Sequence, residues 1–357
     1  MKKFLRIVLV ILILLVVGLG AGVIYLTVKE YNPEATETVP SYGNATKEIA
    51  EGDTISVMTY NIGYGANDAT RDFFMDGGQD VLAESEDKVN ENMEGIIANI
   101  YGANADIHFI QEVDVQSKRS YFVDEANKLA NTFSDYRYSF ANNYVCDYVP
   151  YPLVENTGKV DAGIMTIAPY DTESVERISL SNSYNWPVRV VQLKRCLLVE
   201  RIPVKDSNKK LVAINVHLEA YGDNDDKLTQ FKELCNVMQL EYAQGNYVIV
   251  GGDFNAILPS VDTSKYPLKI TDNFEPAIIP NNLLATGWKF ATDDTTPTSR
   301  LLNQLYDAND TENTQYYVLD GFICSSNVLI DSVKTLNTEF NYSDHNPVVA
   351  KFVLTKV

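Results

Sequence analysis

From Ile7 to Thr27 the chain carries no charged residue, and Lys2, Lys3 and Arg6 stand just before that run. The length matches the ~20 apolar residues a helix needs to cross a hydrocarbon core. With no polar face it fits poorly as a helix of a soluble core. Cations on the N-terminal flank favour keeping that end in the cytoplasm. Gly18, Gly20, Ala21 and Gly22 could feed a signal peptidase, but the run exceeds the ~7–15 residues of a signal-peptide core. The segment is therefore expected to be an uncleaved single-pass anchor at the cell membrane. Residues 1–6 are cytoplasmic in this reading, 7–27 span the membrane and the rest lies outside the cytoplasm.

Residues 28–52 change to Pro, Thr, Ser, Asn, Gly and Glu with no apolar period, the composition of a flexible linker. A span on the order of 25–30 Å is expected for such a coil, and a chain begun near Glu51 should then be soluble and active. No repeat or second low-complexity break follows, so 53–357 reads as one domain. The formal net charge of -19 shows no basic footprint for nucleic acid, although a bound divalent cation would invert the sign locally. Cys146, Cys196, Cys235 and Cys324 are widely spaced, which suggests packed thiols rather than a zinc knuckle or a dense disulfide framework.

Within the domain, Thr54–Asn61, Ile107–Gln111, Gly163–Ile167, Leu197–Val204, Leu211–His217, Tyr247–Gly251, Val318–Cys324 and Val348–Leu354 are rich in β-branched and aromatic residues and read as strands. Glu84–Tyr101, Ser120–Phe133 and Asp225–Tyr242 place apolar residues at helical spacing. So many strands interleaved with helices fit either two helix-flanked sheets packed together or one wide sheet.

Polar residues cluster at the ends of these strands. Asn61 closes the first in MTYNIGYG, Glu112 the next in HFIQEVD, and His217 another in AINVHLEAYGD. Asp253 and Asn255 follow VIVGG in GGDFNA, Asp320 sits in YVLDGF, and Asp344-His345 precede the last strand in YSDHNPV. Taken singly, each has an ordinary explanation as a turn, cap or core residue. Their order from Thr54 to Pro347 resembles the motifs of the endonuclease/exonuclease/phosphatase (DNase I-like) superfamily. The resemblance covers essentially the whole domain and implies a four-layer α/β (α+β) sandwich of two mixed sheets with helices outside. His108, inside ADIHFIQ with no acidic partner nearby in sequence, reads instead as a core residue.

Hydrolysis of a phosphoester needs a cation, an activated water and stabilisation of the leaving oxygen. Glu112 is a hard carboxylate suited to Mg²⁺, with Mn²⁺ as the alternative ion and Asn61 adding an amide oxygen directly or through water. Asp344 is a candidate ligand for a second ion. His345 is the candidate base, its imidazole expected to be neutral, and the resemblance pairs it with Asp320. Asp253 would orient the water, Asn255 would donate to a phosphoryl oxygen, and His217 would stabilise developing charge or protonate the leaving group. The segment Asn143–Asp161, rich in Tyr and Pro, reads as a loop at the site's rim, with Tyr144 among the aromatics that could bind substrate. Arg300 in Thr298-Ser299-Arg300 could grip a phosphate in a fork or form a surface ion pair.

The DNase I branch has a basic residue two positions after the metal-binding glutamate; Asp114 stands there in this chain, which argues against duplex DNA. His217 sets the sequence apart from the exonuclease III-like branch and nearer the DNase I, bacterial sphingomyelinase and inositol-phosphatase branches. The expected function is a metal-dependent phosphoesterase acting on nucleic acid, a lipid headgroup or a sugar phosphate. Its other expected partner is the membrane, through the N-terminal helix, and no protein partner is inferred. The alternative is a catalytically silent surface binding module, which would be expected to have lost Glu112, Asp253 or His345; all three are present.

Overall fold

The β-branched runs become the strands of two mixed sheets in this computed structural model, which describes residues 1–356. One sheet has eight strands. Its main path runs β1 (Thr36–Thr38), β8 (Ser174–Ser179), β9 (Cys196–Lys205), β10 (Lys210–His217), β11 (Tyr247–Asp253), β13 (Asp320–Cys324) and β12 (Lys289–Ala291), with β3 (Ile49–Ala50) paired to β9. The second has seven, in the order β14 (Val328–Thr335), β15 (Val348–Leu354), β4 (Thr54–Asn61), β5 (Ile107–Asp114), β7 (Gly158–Ala168), β6 (Arg137–Val149) and β2 (Ser41–Gly43).

The sheets pack face to face over a core that includes Ile55, Val57, Phe109, Ala213, Ile249, Phe322, Ala350 and Phe352. Outside the first sheet lies α4 (Asn224–Ala243), which buries Phe231, Leu234, Cys235 and Met238. Outside the second lie α2 (Glu86–Ala103), burying Val89, Met93, Ile96 and Ile100, and α3 (Glu125–Thr132), burying Leu129. Burial of one apolar face by each helix and both faces by the sheets gives four layers, so two packed sheets, not one wide sheet, account for the strands. The third helix is shorter than its apolar period: it starts at Glu125, where the Asp124 side chain caps the backbone N–H of Asn127.

α1 (Lys2–Val28) buries no residue and reaches a mean hydropathy of 3.3 over its most apolar stretch, so it is long and apolar enough to cross a membrane. Residues 28–52 do not behave as a free linker. β1 and β2 add edge strands to opposite sheets, and β3 pairs in parallel with β9. Val39 and Ile49 are buried. Each paired piece is only two or three residues long, too short to leave a period in the sequence. The expected rim loop Asn143–Asp161 is also different: it is mostly the end of β6 and the start of β7, a hairpin whose unpaired tip is confined to 150–157. Cys146, Cys196, Cys235 and Cys324 are free and buried. His108 is a core residue, 2% exposed and tilted against the rings of Phe133 and Tyr136, and burial lowers its pKa to about 4.

A buried carboxyl interrupts the apolar interface between the sheets. Glu200 on β9 accepts a hydrogen bond from Ser139 on β6, and burial raises its pKa to about 7. A carboxyl whose folded pKa exceeds its unfolded value stabilises the fold fully below the unfolded pKa, and that contribution is lost as pH rises through the folded one. Glu200→Gln removes this dependence. Urea unfolding should show the variant gaining on the native chain between pH 5 and pH 8, by up to about 3 kcal/mol. A second outcome concerns the N-terminal boundary: a chain begun at Glu30 keeps β1, β2 and β3, whereas one begun at Glu51 loses the burial of Val39 and Ile49. The shorter chain should be less stable by at least about 3 kcal/mol in the same titration.

Candidate active site

Strand register assembles the site. β4 and β5 pair in parallel, with Asn61 opposite Gln111, so both end at the same rim of their sheet. In the other sheet β10 and β11 pair in parallel with His217 opposite Asp253, and antiparallel β13 places Asp320 on the far side of Asp253. Carboxyl ends of parallel strands are where α/β sheets usually place chemistry, and the two rims meet across the sandwich. His345 arrives from the segment before β15 and is fixed by a bridge to Ser299.

Two backbone features aim these side chains. Glu112 has φ 55° and lies within the irregularity where the β5–β7 register shifts between Ile110 and Val113. A bulge of this kind turns a strand-end side chain away from the regular alternation, here into the gap between the sheets. Gly252 lies opposite Val216, and a Cβ there would sit 1.9 Å from the Val216 carbonyl oxygen. Only glycine lets β11 approach β10 closely enough to keep His217 and Asp253 in register.

At the centre, Asp320 Oδ2 lies 2.8 Å from His345 Nδ1, leaving His345 Nε2 to face Asp253 Oδ2 at 3.7 Å, Asp344 Oδ2 at 3.9 Å and the Ser299 hydroxyl at 3.3 Å. Asn61 donates through Nδ2 to Glu112 and to Asp253, 3.1 Å each, while its Oδ1 accepts from the Gly63 N–H. The amide therefore links carboxylates on both sheets, and its oxygen is already engaged. His217 Nε2 sits 3.5 Å from Asp253 and 3.8 Å from Glu112. Asn255, at φ 46°, donates to the Leu218 carbonyl, and its own N–H is held by Asp253.

The electrostatics divide the two histidines. Burial, helped by Arg195, His345 and Arg119, pushes His217 well below the usual imidazole range, so it is neutral. Burial works the same way on His345, but Asp320, Asp253 and Asp344 outweigh it and hold the imidazole well above that range. The neutral His345 expected from sequence is opposed by the three carboxylates that converge on it. Asp344 is raised to about 7 by burial and by Glu112, against the opposing pull of His345 and Arg300. Asp253 is raised to about 6 by burial and by Asp320, with His345 opposing. Carboxyls crowded and buried in this way fit a hard divalent cation, whose charge would relieve their mutual repulsion. Glu112 and Asp344 are the carboxylates that would offer oxygen donors to it. Ligating atoms of Asp253, Asp320 and His345 also lie within 4.8 Å of one another, but the Asp320–His345 hydrogen bond already occupies two of them.

Glu112, His217, Asp253, Asn255, Asp344 and His345 line a cavity of about 490 Å³. Tyr144 and Arg300 line it as well, though neither stands on an exposed rim: both are buried. Tyr144 projects from β6 and donates to the Val191 carbonyl, and Arg300 donates to the Asp68 carbonyl at 2.7 Å and makes no ion pair among the described residues. Sequence reasoning missed Arg119, mostly buried, and Arg195, buried, both lining the cavity. Arg195 Nε and Nη1 have no hydrogen-bond partner among the described residues. Asp114, where a basic residue was the family's pattern, is buried and holds Arg119 in a two-point pair at 2.8 and 3.1 Å. Arg119 in turn lies 3.8 Å over the Tyr64 ring. The positive charge has moved from the strand to the following turn, an offset no single-position motif reveals.

A histidine–carboxylate pair beside a carboxylate cluster at the meeting rims of two sheets defines a phosphoester-hydrolase class of site. The sequence model of the Endonuclease/Exonuclease/phosphatase family matches residues 58–345, and the chain belongs to that family, whose members are phosphoesterases that typically use divalent metals. No curated protein matches the sequence. Among solved structures, an endonuclease/exonuclease/phosphatase from Beutenbergia cavernae is similar with TM-score 0.58 and 14% identity, over 85% of this chain and 72% of that one. TDP2 from C. elegans has TM-score 0.52 and 19% identity, over 86% and 77%. The human Nocturnin catalytic domain, with bound sulfate, has TM-score 0.51 and 20% identity, over 89% and 97%.

Breaking the Asp114–Arg119 pair leaves a buried guanidinium without its counter-charge. Asp114→Asn should destabilise the fold by about 3–5 kcal/mol, measurable by urea unfolding.

Proposed function

We propose that the chain is a divalent-metal-dependent hydrolase of phosphoester bonds, most readily phosphodiesters, held at the membrane by α1 with its catalytic domain outside the cytoplasm. The observation that carries the reading is the buried Asp320–His345 pair, with His345 Nε2 turned to Asp253 and the cavity. Mg²⁺ or Mn²⁺ would be held by Glu112 and Asp344. When bound it supplies positive charge that offsets the carboxylates, favours neutral His345 and draws charge from the phosphoryl oxygens.

The chain's own groups do the rest. His345 Nε2 takes the proton of the attacking water, and Asp320 stabilises the imidazolium that forms and fixes its tautomer. Asp253 orients that water. Asn61 keeps Glu112 and Asp253 apart at a set distance. His217, neutral, offers a donor to a phosphoryl oxygen as charge develops, and Asn255 lines the same wall. Arg119, Arg195 and Arg300 provide fixed positive charge in a chain that is acidic overall, so an anionic group is favoured inside the cavity even though the surface repels polyanions. Nucleic acid, a lipid headgroup and a sugar phosphate all carry the required ester. The D. rerio TDP2 structure, at TM-score 0.50, contains a single-stranded DNA product, which supports a nucleic-acid substrate for that protein.

The expected result is turnover of a phosphodiester by the full-length chain with Mg²⁺ or Mn²⁺, abolished by EDTA and lowered about 10²–10⁴-fold in kcat by His345→Ala. Turnover unchanged in EDTA and in the variant would discard this mechanism and favour the silent binding module.

A further inference from the structure

The last turn of α1 is joined to the wall of the cavity. Tyr25 donates to Asp147 on β6 at 2.7 Å, Trp186 Nε1 donates to Thr27 Oγ1 at 3.0 Å, and Glu30 pairs with Lys194 at 2.8 Å and Arg189 at 3.2 Å. Leu26, Val191 and Leu193 pack against a cluster that includes Tyr144 and Val149, and Tyr144, Val149, Val191 and Leu193 also line the cavity. One layer of side chains therefore separates the helix from the cavity.

The same two elements carry exposed apolar side chains. On the β6–β7 hairpin Tyr148, Tyr151, Leu153 and Val154 are exposed, Leu153 at 88% and Val154 at 100%, and on the loop before β9 so are Trp186 and Val188. Tyr151 and Val188 reach from this surface into the cavity, which marks its mouth. Contiguous exposed apolar groups mark an interaction surface. A Trp and a Tyr at the end of an apolar helix belong at the headgroup level of a bilayer. The cavity is further walled by Phe73, Phe74 and Val81, and it also carries Asp253, Asp344 and His345, the last held from behind by Asp320.

We propose that the hairpin tip and the Trp186 loop seat in the leaflet where α1 ends, and that the cavity takes its substrate from that leaflet: a phospholipid with a phosphodiester-linked headgroup. This rests on the hydrolase and anchor readings above. The phosphate lies among the arginines, the headgroup fills the cavity and the acyl-bearing alcohol stays at the apolar mouth. Water activated at the base forms a new bond to phosphorus, and in-line departure directs the broken P–O bond toward the mouth. The water proton passes to His345, and the leaving alcohol takes a proton from solvent. The diacyl alcohol remains in the membrane and the phosphorylated headgroup is released.

The test uses the full-length chain in proteoliposomes of phosphatidylcholine, phosphatidylethanolamine, phosphatidylglycerol and sphingomyelin with Mg²⁺ or Mn²⁺. It reads lipid cleavage beside hydrolysis of soluble bis(p-nitrophenyl) phosphate. The native chain should cleave lipid, and the double variant Leu153→Asp, Val154→Asp should lose at least about tenfold in that activity with soluble-ester turnover unchanged. Equal lipid cleavage by variant and native chain would overturn the seating. Soluble-ester turnover without any lipid cleavage would overturn the lipid assignment and leave the hydrolase reading standing. Turnover of neither would remove both. As a readout independent of catalysis, Trp186 fluorescence in a Trp288→Phe chain should be quenched by brominated lipid, and an unquenched signal would count against the seating.

Discussion

The contact on which the site depends is the polar seam between the sheets. Asn61 at the end of β4 donates to Asp253 at the end of β11. One layer below it, Gln111 on β5 donates to Asn215 on β10 at 2.7 Å, and Asn215 donates to the carbonyls of Ile110 and Met165. Apolar packing alone is non-directional and would tolerate a small sliding of one sheet over the other. Buried amides left without partners would each cost about 1–3 kcal/mol, so this seam penalises any shift. Glu112 and His217 depend on it, because they belong to different sheets yet must face the same point.

Above the seam the site is a balance of like charges. Asp253, Asp320, Asp344 and Glu112 converge on one another, and only His345, Asn61 and the more distant arginines offset them. That arrangement is costly for a fold, since buried like charges repel, and it sets the carboxylates beside the Asp320–His345 pair. The Asp114–Arg119 pair serves the same end: it keeps positive charge over Tyr64 and beside the cavity without exposing it to the surface. Burial pushes both imidazoles toward the neutral form; His217 follows it, whereas Asp320, Asp253 and Asp344 outweigh it at His345.

The N-terminal segment ties function to location. Residues 28–52 weave edge strands onto both sheets, so the catalytic domain does not swing freely on its helix. Its cavity wall is fastened to the helix end by Tyr25, Thr27 and Glu30. A rigid joint of this kind gives the mouth of the cavity a set direction relative to α1, which a coil of the same length would not.

Much of this was legible in the sequence. Continuous β-branched runs announced the strands, helical periods announced the layers outside them, and polar residues at strand ends announced Asn61, Glu112, His217, Asp253, Asp320 and His345, because these signals are local in the chain. The family resemblance already implied two packed sheets, but the register that sets Asp253 between His217 and Asp320 and the balance of charge around His345 were decided only by tertiary structure. So were the docking of residues 28–52, whose pieces are too short to carry a period, and the roles of Arg119 and Arg195, which stand in turns with no motif around them. Local pattern states which side chains face a core. Which of them meet across that core, and how burial and neighbouring charge then set their protonation, depends on contacts between residues far apart in the sequence.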